Sequence, residues 1–348
     1  MRTGHFTETY AEQVRLVDSN VTWTWIAILI AALVLLPLVA GNYVVSLASA
    51  AMIAVVGAVG LNLLVGTTGL ISIGQSGFLA IGAYTNGLLL ADYGWPLWAA
   101  LPAAGVVSAL ISLLVGVPSL RLKGLYLAIT TLAFAFIVTH VILYAEDISH
   151  GPNGVFLPKL TAFGFDISRD RPFYYLALGI TILSVLAVLN LSRTRIGRAW
   201  MAIRDHDIAA RVMGIDLVRY KLLAFMMSSF LVGIAGALMS LHIRFVNVDV
   251  FGLILSIEAL AMIILGGIGS IAGAILGAVF LSLLPEVIRV FFETFGDPSS
   301  ATYTTYVYEI RGIVYGVVIV AFLRFKPDGL IGLWRDIRRY WSNWPLAY

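Results

Sequence analysis

The sequence predicts an all-α protein, a polytopic membrane protein with about ten transmembrane segments and glycine-interrupted helices. Of its 348 residues, 60% are hydrophobic and 12% are charged, which is about half the charged fraction of roughly 25% in soluble domains. The 73 residues between Asp18 and Asp92 include no Asp, Glu, Lys, Arg or His. As helix, this stretch would measure roughly 110 Å, several times the thickness of a bilayer core of about 30 Å.

Ten apolar segments separated by short polar loops support the same class, although several are shorter than the ~20 residues of a typical span. They cover residues 23–40, 43–65, 76–91, 97–117, 125–143, 173–191, 222–243, 253–265, 270–288 and 310–323. We therefore predict one membrane domain at 23–323, preceded by a segment at 1–22 and followed by a tail at 324–348. The loop at 144–172 contains Gly and Pro, so we expect it to turn rather than form a helix.

Basic residues are concentrated in loops that a ten-span path places on one side of the membrane. The loop at 192–221 contains seven Lys and Arg against three Asp. The tail at 324–348 and the turn with Arg121 and Lys123 are basic as well. Because an excess of Lys and Arg marks cytoplasmic loops, we predict a multi-pass membrane protein with both termini in the cytoplasm.

Several functional classes are excluded by what the sequence lacks. There is no cysteine, which rules out disulfides and thiolate metal sites. The phosphate-binding pattern Gly-x-x-x-x-Gly-Lys-Ser/Thr does not occur, so ATP hydrolysis would need separate subunits. His140 and His206 form no metal set with a nearby His or Cys. We predict a transport subunit rather than an enzyme, with no cofactor or metal in this chain and no nucleic-acid partner.

The first motif is the stretch from Gly60 to Gly77, in which five glycines alternate with polar residues. A glycine within a helix costs about 1 kcal/mol relative to alanine, and non-helical backbone at membrane depth survives only against protein or a water-filled cavity. We interpret the stretch as a broken helix that lines the path of a solute. The alternative is small-residue helix packing with polar side chains bonded across helices. The predicted path residues are Asn62, Thr67, Thr68, Ser72, Gln75 and Ser76.

A second glycine-rich motif, at 265–277, interrupts another pair of short apolar segments and follows Ser256 and Glu258. Paired interrupted segments in the two halves of a chain are typical of a transport site. An acidic residue within a span is costly and is functional by default, so we add Glu258 to the predicted path. The alternative for this residue is a position at the outer edge of the membrane.

The third motif, at 194–216, predicts one short helix in a loop between two spans. Residues at i, i+3, i+4 and i+7 form a face of mostly small and apolar side chains: Ala199, Ala202, Ile203, His206, Ala209, Ala210 and Met213. Gly214 is placed to end the helix, and Arg204, Asp207 and Arg211 are spaced to pair. The many alanines favour a groove on a partner protein, and a position on lipid headgroups is the alternative.

Taken together, these motifs resemble the permeases of bacterial ABC importers for branched-chain amino acids, of the LivM type. Three stretches carry the resemblance, Gly60–Tyr84, Gly197–Leu238 and Ser256–Gly277, and the tail Lys326–Gly332 also fits. The second stretch is the most specific, with Ala-Ile-Arg-Asp and Ala-Ala-Arg-Val-Met-Gly-Ile. The resemblance implies a place in the lipid bilayer of the bacterial inner membrane and three kinds of partner protein: a second, LivH-like permease, two cytoplasmic ATPase subunits and a periplasmic solute-binding protein.

The resemblance also implies that the third motif is the segment that seats on an ATPase. The residues predicted to couple to that subunit are Arg198, Ala202, Arg204, Asp205, Ala209, Ala210, Met213 and Gly214. The expected function is ATP-driven import of branched-chain or related hydrophobic amino acids delivered by the binding protein.

Two departures from the family pattern leave the solute open. Gln75 stands where many members carry His, and Thr67-Thr68 replaces a frequent Tyr-Ala. Both lie in the predicted path, so another solute such as an amide, urea or an aromatic acid is an alternative. A secondary transporter driven by an ion gradient is an alternative of a different class. It would need intramembrane acids for coupling, and Glu258 is the candidate.

Overall fold

The computed structural model describes residues 20–119, 122, 124–158, 161–162, 165–166, 169–295, 313–314, 316–322, 324–326 and 328–343. Most residues in this part of the chain are helical, which confirms the predicted all-α class. The predicted segment 1–22 lies largely outside the described residues, and Arg121 and Lys123 of the basic turn lie wholly outside them.

Long helices dominate both halves of the chain. The first half contains α1 (Asn20–Val39), α2 (Asn42–Thr68), α3 (Gln75–Ala91), α4 (Leu97–Ser119) and α5 (Leu125–Tyr144). Short elements follow, namely α6 (Glu146–Ser149), a 3₁₀ turn (Gly151–Asn153), β1 (Val155–Phe156), β2 (Thr161–Ala162) and β3 (Phe165–Asp166). The second half contains α7 (Asp170–Arg193), α8 (Arg195–Asp205), α9 (Asp207–Val212), α10 (Leu217–Ile243), β4 (Phe245–Val246), a 3₁₀ turn (Val248–Phe251), α11 (Leu253–Gly266), α12 (Ile271–Phe295) and α13 (Gly329–Asn343). Residues 313–314, 316–322 and 324–325, just before α13, are also helical.

The polytopic architecture is confirmed, with a firm count of six spans among the described residues. Helices α2, α4, α5, α7, α10 and α12 are long and apolar enough to cross a membrane. The apolar helical stretches Trp23–Val39 and Leu253–Gly266 are shorter, and α3 has 17 residues. Each of the ten predicted segments overlaps helical residues, but the number ten stays a prediction, since 310–323 is only partly described.

Helix α10 is the centre of the packing and contacts α2, α3 and α4. Small residues allow close approach: the Ser228 hydroxyl donates to the Gly60 carbonyl over 2.7 Å, and a Cβ on Gly82 would collide with the Gly233 carbonyl. Helices in lipid associate through such close contacts because hydrocarbon provides no hydrophobic driving force between them. For Gly60, small-residue packing is therefore the correct interpretation.

The bundle of helices has two ends with different chemistry. Helices α8 and α13 lie at one of them, beside the last turns of α2 and α11, and this is called the basic end below. At the opposite end, His150 Nε2 lies 3.0 Å from Asp92 Oδ2, β1 pairs with β4, and the Tyr43 hydroxyl donates to Glu286. The described basic loops are thus gathered at one end, as the ten-span path predicts.

The loop at 144–172 turns as predicted over most of its described residues. Two antiparallel strand pairs, β1 with β4 and β2 with β3, hold parts of it. The four-residue helix α6 is an exception to the prediction. Its first turn carries Glu146 and Asp147, and acidic side chains stabilise the start of a helix through its dipole.

Candidate functional site

The first glycine-rich motif is the break between α2 and α3. Gly69 ends α2 in the left-handed region, with a φ of 72°, a conformation that side chains with a Cβ rarely adopt. After the break, the Gln75 side-chain amide at the start of α3 donates to the Gly57 carbonyl over 3.2 Å. Gly57 lies about 16 Å along α2 from its end at Thr68. Residues 69–74 are therefore a non-helical return into the interior of the bundle.

Side-chain oxygens accept the backbone N–H groups that this return leaves without a helical partner. The Thr131 hydroxyl accepts from Ile73 N over 3.0 Å. The Ser256 hydroxyl accepts from Ser76 N over 2.9 Å and lies 2.9 Å from the Ser76 hydroxyl. The Ser72 hydroxyl accepts from Gly74 N over 3.4 Å. These hydroxyls replace the water that stabilises such backbone in soluble proteins.

The second glycine-rich motif, the break between α11 and α12, meets the first one directly. The Asn62 side-chain oxygen on α2 accepts from Gly269 N over 2.9 Å. A Cβ on Gly66 would lie 2.5 Å from Gly269 N, so the two main chains are in contact. The Asn62 Nδ2 atom is buried and has no hydrogen-bond partner among the described residues. Among the predicted path residues, it is the one buried side-chain polar atom without a hydrogen-bond partner in the described part of the chain.

The remaining predicted path residues, Thr67, Thr68 and Glu258, lie in different environments. The hydroxyls of Thr67 and Thr68 donate to carbonyls one turn earlier in α2, so they serve their own helix. Glu258 is partly buried on α11, two positions after Ser256. Residues two positions apart on a helix point in directions about 200° apart around its axis. Glu258 therefore points away from the face on which Ser256 contacts Ser76.

A cleft of 290 Å³ opens between α3, α5 and the start of α11. Its walls are mostly apolar with a few polar groups, and Ser76 is the predicted path residue that it includes. Sequence analysis did not select the other lining residues, although Thr139 and His140 are polar positions within an apolar helix. The cleft is lined by Ser76, Leu132, Ala135, Phe136, Thr139, His140, Val248, Asp249, Phe251, Gly252 and Leu253.

The third motif forms two helices, so the prediction of one continuous helix is wrong. His206 has extended backbone, with φ −154° and ψ 102°, and separates α8 from α9. Each helix packs inward at its own position: the Trp200 indole of α8 donates to the Tyr220 carbonyl over 2.8 Å, and Ala210 of α9 is buried. Gly214, with a φ of 86°, ends α9 as predicted.

The predicted small-residue face is consequently divided. Ala199, Ile203 and Ala210 are buried within the chain, whereas Ala209 and Met213 are exposed. Two bulky apolar residues that sequence analysis did not select, Ile208 and Val212, are exposed as well, and their spacing of four on a helix was the available signal. We call the group Ile208, Ala209, Val212 and Met213 the α9 cap. Of the other predicted coupling residues, Arg198, Asp205 and Gly214 are exposed and Ala202 is partly buried.

Arg204 links α8 to both glycine breaks. Its Nη1 donates to the Gly66 carbonyl over 2.6 Å, and the same nitrogen would be 2.7 Å from a Cβ on Gly269. A cation at the carbonyl end of α2 is favourable because those last carbonyls lack helical partners and carry the negative end of the dipole. The nearest acid is Asp205, whose Oδ1 lies 3.8 Å from Arg204 Nε.

Comparison with known proteins identifies the family. Residues 43–323 match a family model described as the branched-chain amino acid transport system / permease component. The chain belongs to this family. The permease protein LivM of the high-affinity branched-chain amino acid transport system of Salmonella typhimurium is 37% identical over 315 residues, covering 84% of this chain and 70% of that protein.

Two further relatives of this permease family extend the comparison. LivM of Escherichia coli (strain K12) is 36% identical over 323 residues, covering 86% of this chain and 72% of that protein. The probable permease protein LivH of Methanocaldococcus jannaschii is 27% identical over 303 residues, covering 82% of this chain and 91% of that protein. With six candidate spans, this permease is a multi-pass inner-membrane protein.

Replacing Arg204 with Gln should loosen the end of α2. A hydrogen bond to a charged group contributes about 1.5–3 kcal/mol, so local opening around Gly66 should increase about ten- to a hundredfold. Hydrogen exchange of the amides at 64–70 measures this. Arg198→Gln is the matched control, since it removes the same charge from the same helix at an exposed side chain that donates to the Arg193 carbonyl. Equal exchange in the two variants would disprove the link.

Proposed function

We propose that the chain is the permease subunit of an ATP-driven importer for branched-chain or related hydrophobic amino acids. The observation that carries the proposal is the 37% identity to a LivM permease over 84% of the chain. Under this proposal the chain is a transport subunit and not an enzyme, and a periplasmic binding protein delivers the solute.

The proposed complex contains further subunits. Relatives named LivM and LivH both align with most of this chain, which supports pairing with a second, LivH-like permease. Because the sequence has no Gly-Lys phosphate-binding pattern, two separate cytoplasmic ATPase subunits would hydrolyse ATP. No cofactor or metal is assigned to this chain.

The proposed solute path begins at the cleft beside Ser76 and continues toward Asn62. Apolar walls such as Leu132 and Phe136 suit an aliphatic side chain, and Asp249 offers a carboxylate for an ammonium group. The free Nδ2 of Asn62 supports its inclusion further along the path. Thr67, Thr68 and Glu258 have less support, since the first two bond their own helix and the third points away from Ser76.

The proposed coupling route runs from the α9 cap to the glycine breaks. An ATPase groove would receive the exposed apolar cap, and α8 would pass its movement through Arg204 to Gly66 and Gly269. The 2.6 Å contact of Arg204 with the Gly66 carbonyl supports this route, since a rigid link is needed to transmit movement. In this role Arg204 orients the helix from within and is not part of the docking face.

The experiment that tests the function is uptake of labelled leucine, isoleucine and valine by proteoliposomes that contain the complete importer. Uptake should require ATP and the binding protein and should persist when ionophores collapse the proton and sodium gradients. An importer with a hydrolysis-deficient ATPase is the control. The competing ion-coupled transporter depends on Glu258, and it would be established if uptake followed the ion gradient without ATP.

Ala209→Trp tests the docking role of the α9 cap. A bulky ring in a close contact costs about 1–3 kcal/mol, so affinity for the ATPase should fall about five- to a hundredfold, and transport should fall with it. Co-purification and solute-stimulated ATP hydrolysis measure both. Ala91→Trp is the matched control, since Ala91 is exposed at the opposite end. Unchanged ATPase binding by Ala209→Trp would exclude α9 as the docking element.

The proposed orientation places the basic end, the segment 1–22 and the tail 324–348 in the cytoplasm. The gathering of basic loops at one end supports it. Arg198→Cys should resist an impermeant thiol reagent in spheroplasts, and Tyr93→Cys, exposed at the opposite end, should react. The chain has no other cysteine, so labelling is specific. Reaction of Arg198→Cys from outside would reverse the orientation.

A further inference from the structure

Helix α13 carries an exposed aromatic and aliphatic stripe that no part of the described chain covers. Trp334, Ile337 and Tyr340 are exposed to 60%, 51% and 61%. Their three-residue spacing places them on one face about 120° wide. We call them the α13 stripe. Large apolar side chains on a single helical face mark a surface that is covered by lipid or by another molecule.

The first turn of α13 is the part that docks on the protein. Gly329 and Gly332 are buried, and a Cβ on Gly329 would lie 2.7 Å from Gly267 N in the second break. Lys326 Nζ and Asp336 Oδ2, 2.8 Å apart, connect the helix to the residues before it. The first turn of α13 is thus held on the bundle, and the stripe lies further along the helix, where the described side chains from Trp334 to Arg338 and that of Tyr340 are exposed.

Charge and position favour the bilayer as the occupant of the stripe. Arg324 and Arg338 are exposed, and residues 324–339 contain five basic and two acidic residues. Phe325, in the helical residues before α13, is a further large apolar side chain that is 78% exposed. Basic side chains beside Trp and Tyr are the composition of helices that lie in the interface of an anionic leaflet.

We propose that α13 lies in the headgroup region of the cytoplasmic leaflet, with the stripe among the upper acyl chains and Arg324 and Arg338 on anionic phospholipid headgroups. The inference goes beyond the proposed transport function and does not depend on the solute. Since α13 contacts the backbone of the second break at Gly267, its seating on lipid also fixes the position of that break. Anionic lipid is therefore a ligand of this subunit.

The test uses single cysteines, which label uniquely because the chain has none. The purified permease pair carries an environment-sensitive NBD fluorophore at Ile337→Cys, on the stripe. The control carries it at Arg335→Cys, which lines an open polar cleft with Arg204 and Gly269. Both are placed in nanodiscs of phosphatidylcholine with or without phosphatidylglycerol. The label at 337 should emit at shorter wavelength and resist iodide quenching, most strongly with phosphatidylglycerol, while the label at 335 stays accessible.

A charge variant and a measurement with added ATPase subunits complete the test. Arg324→Gln with Arg338→Gln should shift the docking equilibrium of the label at 337 in anionic nanodiscs by up to about 30-fold, at about 1 kcal/mol for each basic residue. The same double substitution should have little effect on the label in nanodiscs of phosphatidylcholine alone. Equal quenching of the two labels in every nanodisc would overturn the proposal. Protection of the label at 337 from iodide that appears only when the ATPase subunits are added would also overturn the proposal, since the stripe would then be a protein-docking surface.

Discussion

A backbone amide at membrane depth must find its hydrogen-bond acceptor within the protein, because hydrocarbon offers none. The two glycine breaks exist only where this condition is met. Thr131 and Ser256 accept from the return after α2, and Asn62 accepts from Gly269 in the second break. Polar residues in otherwise apolar helices therefore hold the main chain first, and contact with a solute is left to the atoms that remain.

The breaks also bring two helices of the basic end into contact with the main chain inside the bundle. Arg204 donates to the last turn of α2 at Gly66, and Gly66 touches Gly269 without an intervening side chain. Helix α13 contacts the same second break through Gly329. Two elements at the basic end, α8 and α13, thus converge on one small region of main chain. Under the proposed coupling route, a movement of either would be passed to α2 and α12 together.

Much of this architecture could be predicted from the sequence. Composition and apolar segments predicted the helical membrane fold, and glycine clusters predicted where helices break, since glycine is costly within a helix. The turn at Gly214 also followed from local pattern. Contacts between residues far apart in the sequence could not be predicted in this way. Asn62 and Gly269 are 207 positions apart, and no local signal pairs them. His206 has extended backbone although the helical pattern continues past it, and the orientation of Glu258 depends on which face of α11 meets α3.

The contact between Gly66 and Gly269 has a consequence for how such a protein changes over time. Because this joint consists of main chain alone, no exchange of side chains can retune it, and an added methyl group has no room. Wall residues of the cleft, such as Leu132 and Phe136, carry no such restriction. Under the proposed solute path, new substrate preferences are therefore expected to arise by substitutions in the walls, while the glycine contact is inherited unchanged.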